Sequence, residues 1–475
     1  MRWWTLALFA CGIADQPEPD IGPDLDADGV PAPLDCDDAD PDKAHGFPER
    51  CDGVDQDCDG LVDEDFDLDR DGVPACDPLL RAPWAKIPMN GPFEPYGRDL
   101  RAVDLDGDGV DELLALEWHD DESQVQAWLL RGDRTCPLCD HVPFGDPSTS
   151  YTAIRPLGDL DGDGHREVGL ESLDLPAHAQ IWRLHPGTSL WFESPPQEAW
   201  LHLAPFREAD GTETALFHAA QYQSWSTLVR ITADPQGAPL LTAVAAADAW
   251  EPAALWIVGV DLDVDGAPEL GRFSAWCQNA NVHVQFTTWP QEVPWWSQGC
   301  FTFDAVWSPI GDQDVDGDTH PDALWAGNTN ALVGSRTHIG VLLATGPGRP
   351  PAHQRVPAPS EGAAIQFDVL RSSPPALVTL TARSNGDGFD YLLSLWRVRA
   401  DAEPAQLQAL RLPSGDTHHY PSFAAGDFNG DGWQDLAVSH IAEGASGSTA
   451  ELLLFAARRD CDDHDPTIQR GCPEP

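Results

Sequence analysis

Asp104-Leu105-Asp106-Gly107-Asp108-Gly109-Val110-Asp111-Glu112 places an aspartate at its first, third and fifth positions, a glycine at its sixth and an acid at its ninth. Four further stretches repeat it: Asp159-Leu160-Asp161-Gly162-Asp163-Gly164-His165-Arg166-Glu167, Asp261-Leu262-Asp263-Val264-Asp265-Gly266-Ala267-Pro268-Glu269, Asp314-Val315-Asp316-Gly317-Asp318-Thr319-His320-Pro321-Asp322 and Asp427-Phe428-Asn429-Gly430-Asp431-Gly432-Trp433-Gln434-Asp435. Each leads into an apolar run such as Leu113-Leu114-Ala115-Leu116 or Leu436-Ala437-Val438. Side-chain oxygens at positions 1, 3, 5 and 9 and the backbone carbonyl at 7 wrap a hard cation, and glycine at 6 permits the sharp turn. The carbonyl ligands expected are those of Val110, His165, Ala267, His320 and Trp433, and the ion that suits the set is calcium.

A helix–loop–helix calcium site would need amphipathic helices on both sides of the loop. The flanks here are short β-type runs with Pro and Gly nearby, so that reading is rejected. Two worn copies fill the gaps in the spacing. Phe206-Arg207-Glu208-Ala209-Asp210-Gly211 keeps the shape with fewer ligands, and Phe367-Asp368-Val369 before Pro375-Ala376-Leu377-Val378 keeps less. The anchors near 104, 159, 206, 261, 314, 368 and 427 recur roughly every 47 to 59 residues, long enough for a four-stranded blade. The fold class expected is all-β: a seven-bladed β-propeller with calcium loops, preceded by an irregular, disulfide-rich, acidic calcium-binding segment.

These repeats resemble the FG-GAP/VCBS repeats of the integrin α-subunit propeller, over about residues 80 to 458. The family pattern Asp-x-Asn-Gly-Asp-Gly-x-x-Asp is met at Asp427, Asn429, Asp431 and Asp435; the other four copies depart by Asp for Asn, Glu at position 9, Val264 or Thr319. The resemblance implies that the calcium loop joins the first and second strands of each blade. It also implies that the loops joining the second and third strands, on the opposite face, meet partners. Trp118, His119, Tyr222, Asn279, Asn281 and His440 fall in such polar stretches and are the candidate ligand face. Asn385-Gly386-Asp387-Gly388 falls at the same position in the sixth repeat and reads as a turn. The last repeat is short of a strand, which the segment from Arg81 to Ile87 could supply.

Composition narrows the partners. Seventy-nine acids against 27 bases give 475 residues a formal charge of −52, which excludes nucleic acid and acidic lipid headgroups as ligands. Hydrophobic residues at 42% and 19 Trp supply a core that a disordered polyanion would lack. The start, Met1-Arg2-Trp3-Trp4-Thr5-Leu6-Ala7-Leu8-Phe9-Ala10-Cys11, has a positive charge, a short apolar run and a small residue before cysteine. It resembles a bacterial lipobox. The expectation is a signal peptide over 1–10, lipidation at Cys11, a linker over 11–23, and residence at an outer membrane or cell surface, or otherwise in the periplasm or medium. The membrane is then met only through the lipid. Setting Cys11 aside leaves ten cysteines, which suits an oxidising compartment. Locality suggests Cys36–Cys51, Cys58–Cys76, Cys136–Cys139, Cys277–Cys300 and Cys461–Cys472, the first two among three connectivities.

Residues 24–79 form an acidic head with further loops of the same phasing. Asp24, Asp26 and Asp28 lead to Asp35; Asp55, Asp57 and Asp59 lead to Asp63; Asp67, Asp69 and Asp71 follow. With so little apolar surface, metal and disulfides must order this segment. Asp35-Cys36-Asp37-Asp38-Ala39-Asp40-Pro41, continued by Glu49-Arg50-Cys51-Asp52-Gly53 and Asp57-Cys58-Asp59-Gly60, resembles the metal-binding motif of MopE-type bacterial surface proteins. A truncated copy, Asp460-Cys461-Asp462-Asp463-His464-Asp465-Pro466 and then Cys472, makes up the tail over 459–475. Copper is associated with that family's namesake, but Met1 and Met89 are the chain's two methionines and His45 the head's one histidine. Hard oxygen donors suit calcium or magnesium better.

Three functional classes follow. The first is a non-catalytic, calcium-stabilised surface module whose propeller face meets an extracellular glycan or protein. The second is a polysaccharide lyase or hydrolase on the same scaffold, and the third a metal-sequestering protein. No nucleophile elbow, His-Glu-x-x-His helix or phosphate loop is present in the sequence. His418-His419-Tyr420 reads as a polar turn, and Arg131-Gly132-Asp133 as a strand end.

Overall fold

Within the computed structural model the described residues are 25, 30–31, 35, 43–47, 56–58 and 78–459, the last without 81–82, 90–99, 119–124, 134–135, 173–177, 195–199, 222–224, 247–253, 278–280, 289–293, 303–309, 329–336, 347–350, 358–361, 372–374, 385–388, 401, 413–420 and 445–446. The regular structure among them is β-strand, arranged as seven antiparallel blades around a ring. Blade 1 comprises Leu100–Val103, Glu112–Trp118, Val125–Asp133 and Cys136–Phe144, and blade 2 Ala153–Pro156, Glu167–Ser172, His178–Arg183 and Ser189–Glu193. Blade 3 runs from Trp200–Arg207 to Pro239–Ala246, blade 4 from Ala254–Val260 to Pro294–Thr302, blade 5 from Ile310–Gln313 to Ala352–Pro357, and blade 6 from Gly362–Leu370 to Ala405–Arg411. A single pair, Thr302 opposite Asn328, ties blade 4 to blade 5.

Burial explains why these runs pair as they do. Glu167–Ser172, a second strand, is buried at every residue, as a strand packed on both faces must be. Ala405–Arg411, an outermost strand, is exposed or half-buried throughout. The apolar side chains gather between blades. Val103, Leu105, Leu114, Ile154, Val168 and Leu170 join blade 1 to blade 2, while Leu157, Ile181, Leu203 and Phe217 join blade 2 to blade 3. Near the axis the blades converge so closely that a Cβ on Gly311 would meet the Gly259 carbonyl at 2.7 Å.

Blade 7 is built from both ends of the chain. Phe423–Gly426, Asp435–Gly444 and Gly447–Arg459 are completed by Pro78–Leu80 and Ala85–Pro88, both antiparallel to Gly447–Arg459. The closing strand anticipated between Arg81 and Ile87 is found at Ala85–Pro88, and a second short strand, Pro78–Leu80, precedes it, with Pro78 paired to Arg459. Gln408 of blade 6 secures the first of them, accepting from the Leu80 N–H at 2.7 Å and donating to its carbonyl at 2.9 Å.

Of the head, Ala44 and Gln56 are buried and joined by a backbone hydrogen bond of 3.0 Å, and Cys58 is disulfide-bonded, as is Cys139 in blade 1. Cys11, Asp24, Asp26, Asp28, Asp55, Asp59, Asp63, Asp67, Asp69 and Asp71, with the tail, lie outside the described residues. Among the described residues no helix is long and apolar enough to cross a membrane.

Candidate metal centres

The five loops join first to second strands in blades 1, 2, 4, 5 and 7, and all fold alike. The position-1 aspartate reaches across its own loop. Asp104 accepts from the Gly107 N–H at 2.7 Å and the Gly109 N–H at 3.1 Å. Asp159 does the same for Gly162 and Gly164, Asp314 for Gly317 and Thr319, and Asp427 for Gly430 and Gly432. The position-5 carboxylate accepts from position 7, as Asp108 does from Val110 and Asp265 from Ala267 at 2.8 Å each. The position-9 acid turns inward and accepts from position 2, Glu112 from Leu105, Glu167 from Leu160, Glu269 from Leu262 and Asp322 from Val315.

The backbone demands more than the sixth-position glycine. Positions 4 and 6 are both left-handed, with φ of 76° and 83° at Gly107 and Gly109. Val264 at 55° and Thr319 at 74° hold the same conformation against the steric cost that a β-branched side chain carries there. The fold imposes the loop on residues that would not choose it.

Carboxylates converge in consequence. Ligand-capable oxygens lie within 4.8 Å of one another in Asp104, Asp106 and Asp108, in Asp159, Asp161 and Glu167, in Asp261, Asp263 and Asp265, and in Asp314, Asp316 and Asp322. Burial first, and the facing aspartates second, push Glu112 and Glu269 up to about 7 and Glu167 to about 8. The same causes take Asp316 to about 7 and the buried Asp322 to about 9. Such mutual repulsion is what a divalent cation relieves, and the donors are all hard oxygens, so the residues fit the ion the spacing implies. In blade 7 Asn429 replaces one charge, and its amide donates to Asp435 at 3.0 Å.

Basic groups also approach the loop carboxylates. The Arg183 guanidinium is ion-paired with Asp161 in blade 2. In blade 3 the loop is cut to 208–212, Arg230 meets Glu208 at 3.1 Å, and Thr214 donates to the Phe206 carbonyl near where the other blades keep their ninth-position acid. Blade 6 corrects one expectation. Asp368 is inside the first strand, where its carboxyl accepts from the Ala425 N–H of blade 7 at 3.1 Å. It packs neighbouring blades together and starts no loop.

A role the sequence did not disclose belongs to position 8. Asp111 accepts from the Asp427 N–H at 2.7 Å, and its own N–H donates to the Asp427 carbonyl at 2.8 Å, linking the loops of blades 1 and 7. Glu213 likewise accepts from the Asp159 N–H at 2.7 Å, and Gln434 accepts from the Arg371 N–H. In blades 1, 3 and 7 the position-8 side chain thus caps the first-to-second-strand connection of the preceding blade.

The candidate ligand face is only partly placed. Trp118 ends and Asn281 begins a strand, whereas His119, Tyr222 and Asn279 lie outside the described residues, as do Asn385–Gly388 and His418–Tyr420. His440 requires a correction. It sits within Asp435–Gly444 opposite Glu451, because this hairpin is longer than its polar residues suggest and turns after Gly444. Arg131, in a strand, pairs with Asp140 across it.

Comparison with known families agrees with this geometry. A model of the FG-GAP-like repeat matches residues 104–169 and one of the FG-GAP repeat matches 419–440. The MopE metal-binding motif matches 35–64 and 460–475. No curated protein matches the sequence significantly. Similar solved structures include BBS1N in complex with ARL6DN, soaked with lead, at 11% identity over 79% of this chain and 98% of that one, with a TM-score of 0.45. Another is the WD40 domain of Toxoplasma gondii coronin, at 8% identity over 82% and 93%, with a TM-score of 0.49. The chain is therefore a seven-bladed β-propeller in which FG-GAP-type repeats are detected at 104–169 and 419–440 and the MopE-type metal-binding motif at 35–64 and 460–475.

Proposed function

We propose that the protein is a non-catalytic, calcium-stabilised binding module, exported and held at a bacterial surface through Cys11, whose propeller meets an extracellular glycan or protein. The observation that carries this reading is the repetition of one carboxylate loop in five blades. The ion at each is calcium, and it braces the ring. The partner meets the loops between second and third strands, where Trp118, His119, Tyr222, Asn279 and Asn281 fall in sequence. Pairing of Cys36 with Cys51, Cys58 with Cys76, Cys136 with Cys139, Cys277 with Cys300 and Cys461 with Cys472 staples head, blades and tail.

A glycan and protein array probed with calcium and with chelator tests the reading. Calcium-dependent capture that weakens when Trp118 and Tyr222 are replaced is the expected result, and turnover of any arrayed glycan would overturn it. Cys11→Ser should release the protein from membranes, and continued retention would remove the anchor from the proposal. The match of the MopE motif at 35–64 and 460–475 favours a second activity, metal capture by the head. A chain lacking residues 24–77 should then lose metal equivalents while its propeller still melts cooperatively.

A further inference from the structure

The residue across the ladder from each ninth-position acid differs from blade to blade, and in blade 2 it carries a charge that reaches the loop. Glu167 pairs with Arg183 of the third strand, Glu269 with Thr288 and Asp435 with Ala456. The registers Ala323–Leu342 and Leu113–Leu130 set Asp322 across from Leu343 and Glu112 across from Arg131. Of these five blades, 1 and 2 place arginine there, and the two side chains find different partners. Arg131 lies opposite Asp140 of the outermost strand and pairs with it at 3.0 Å. Arg183 lies opposite the uncharged Ser189 at that place, and its guanidinium pairs with Asp161 of the loop instead.

The Arg183–Asp161 pair is not an ordinary surface contact. The Asp161 side chain is 3% exposed, so little water screens the two charges. Arg183 Nη2 also donates to the Gly237 carbonyl of blade 3 at 3.0 Å, and the Trp191 indole N–H donates to the same oxygen at 2.9 Å. The guanidinium carbon lies 5.8 Å from the Trp191 ring centroid. Arg183 Nε is buried with no hydrogen-bond partner. A guanidinium that leaves a buried donor unused is placed by the charge of the loop more than by the fit of its own donors.

We propose that Arg183 is the resident counter-cation of the blade 2 loop: it holds this loop together when calcium is scarce and makes it bind calcium more weakly than the loops of blades 1 and 4. The inference rests on calcium being the ion of the loops. All three loops set three aspartates and a glutamate at the ligand positions, so their own carboxylate charge is equal. The guanidinium offsets one unit of it in blade 2, and a divalent ion entering there meets a positive charge already on one of its ligands. Because the same nitrogen holds the blade 3 carbonyl of Gly237, filling the loop is felt at the seam between blades 2 and 3. Blade 2 then responds to calcium over a range in which blades 1 and 4 are already full.

Hydrogen–deuterium exchange of the full chain, read by mass spectrometry across a calcium series at pH 8, reports each loop separately. The peptide spanning 159–167 should gain protection at about three- to tenfold more calcium than those spanning 104–112 and 261–269. Arg183→Gln should bring that midpoint down to the level of the other two and raise exchange of the same peptide in chelator. Ser189→Asp, which offers Arg183 the outer carboxylate that Arg131 already has, should lower the midpoint by a smaller step. A 159–167 midpoint that neither variant moves, in a chain whose loops still respond to calcium, overturns the inference. No calcium-dependent protection in any loop would instead remove calcium from the loops altogether. Should Arg183→Gln misfold, the Ser189→Asp midpoint decides alone.

Discussion

The loops of blades 5 and 3 stand at the same place in the ring and solve one electrostatic problem in opposite ways. Blade 5 brings Asp314, Asp316 and Asp322 together and buries the last completely, leaving a repulsion that a cation would relieve. Blade 3 has shortened its loop, put Thr214 near the ninth position and met Glu208 with Arg230. A blade therefore needs the backbone turn and the inward hydrogen bond more than it needs the metal. Where the carboxylates remain, however, their repulsion calls for a bound cation.

The comparison can be broken most forcefully by chelation. Each occupied site contributes according to how far calcium exceeds its dissociation constant, and several together should raise the melting temperature by on the order of 10 °C. Thermal denaturation with and without EGTA checks this, and an unchanged melt would remove the structural role of the ion.

A pH series in chelator comes next. Glu112, Glu167, Glu269 and Asp322 are held above their ordinary values, to about 7, 8, 7 and 9, so between about pH 4 and 9 the folded chain binds more protons than the unfolded. Their contribution is full at acid pH and lost as pH rises, so the metal-free protein should melt lower at pH 8 than at pH 5. Saturating calcium favours the ionised form and should flatten or invert that slope. Parallel slopes in the two conditions would contradict the assignment.

Single substitutions sharpen the contrast further. Asp322→Ala strands the Val315 and Ala344 N–H groups and should cost about 3 kcal/mol in calcium, against about 1 kcal/mol for Thr214→Ala. Chemical denaturation of both variants gives the comparison. The smallest effect belongs to Glu208→Gln, since its partner Arg230 is partly exposed: under about 0.5 kcal/mol, with no change in calcium stoichiometry.

Much of this was legible in the sequence because it is local. A nine-residue loop carries its own signature, its recurrence counts the blades, and the missing strand of the last repeat points to the chain's beginning. What was not legible depends on the ring. Asp368 looks like a damaged loop because its partner, the Ala425 N–H, is 57 residues away on the next blade. Asp111 looks like one more acid in an acidic loop until closure brings Asp427 beside it. Val264 and Thr319 show the reverse, since the pattern bends at those positions and the backbone does not. His440 looks like a loop residue because the polar residues around it resemble a strand end, whereas the strand continues to Gly444.

The seam of blade 7 has a mechanical consequence. The chain enters the ring at Pro78 and leaves it at Arg459, and these two residues are paired with each other at one end of the ladder. Tension applied between the two ends would peel this ladder one hydrogen-bonded pair at a time instead of shearing all its rungs together. The seam is thus weak toward a pull that separates head from tail. A pull on the head alone loads it differently, drawing the closing strands lengthwise against Gly447–Arg459 and against Gln408 of blade 6. A ring tethered by one end and loaded through its blades would be spared the peeling geometry, and one stretched between both ends would open first where the chain begins and finishes.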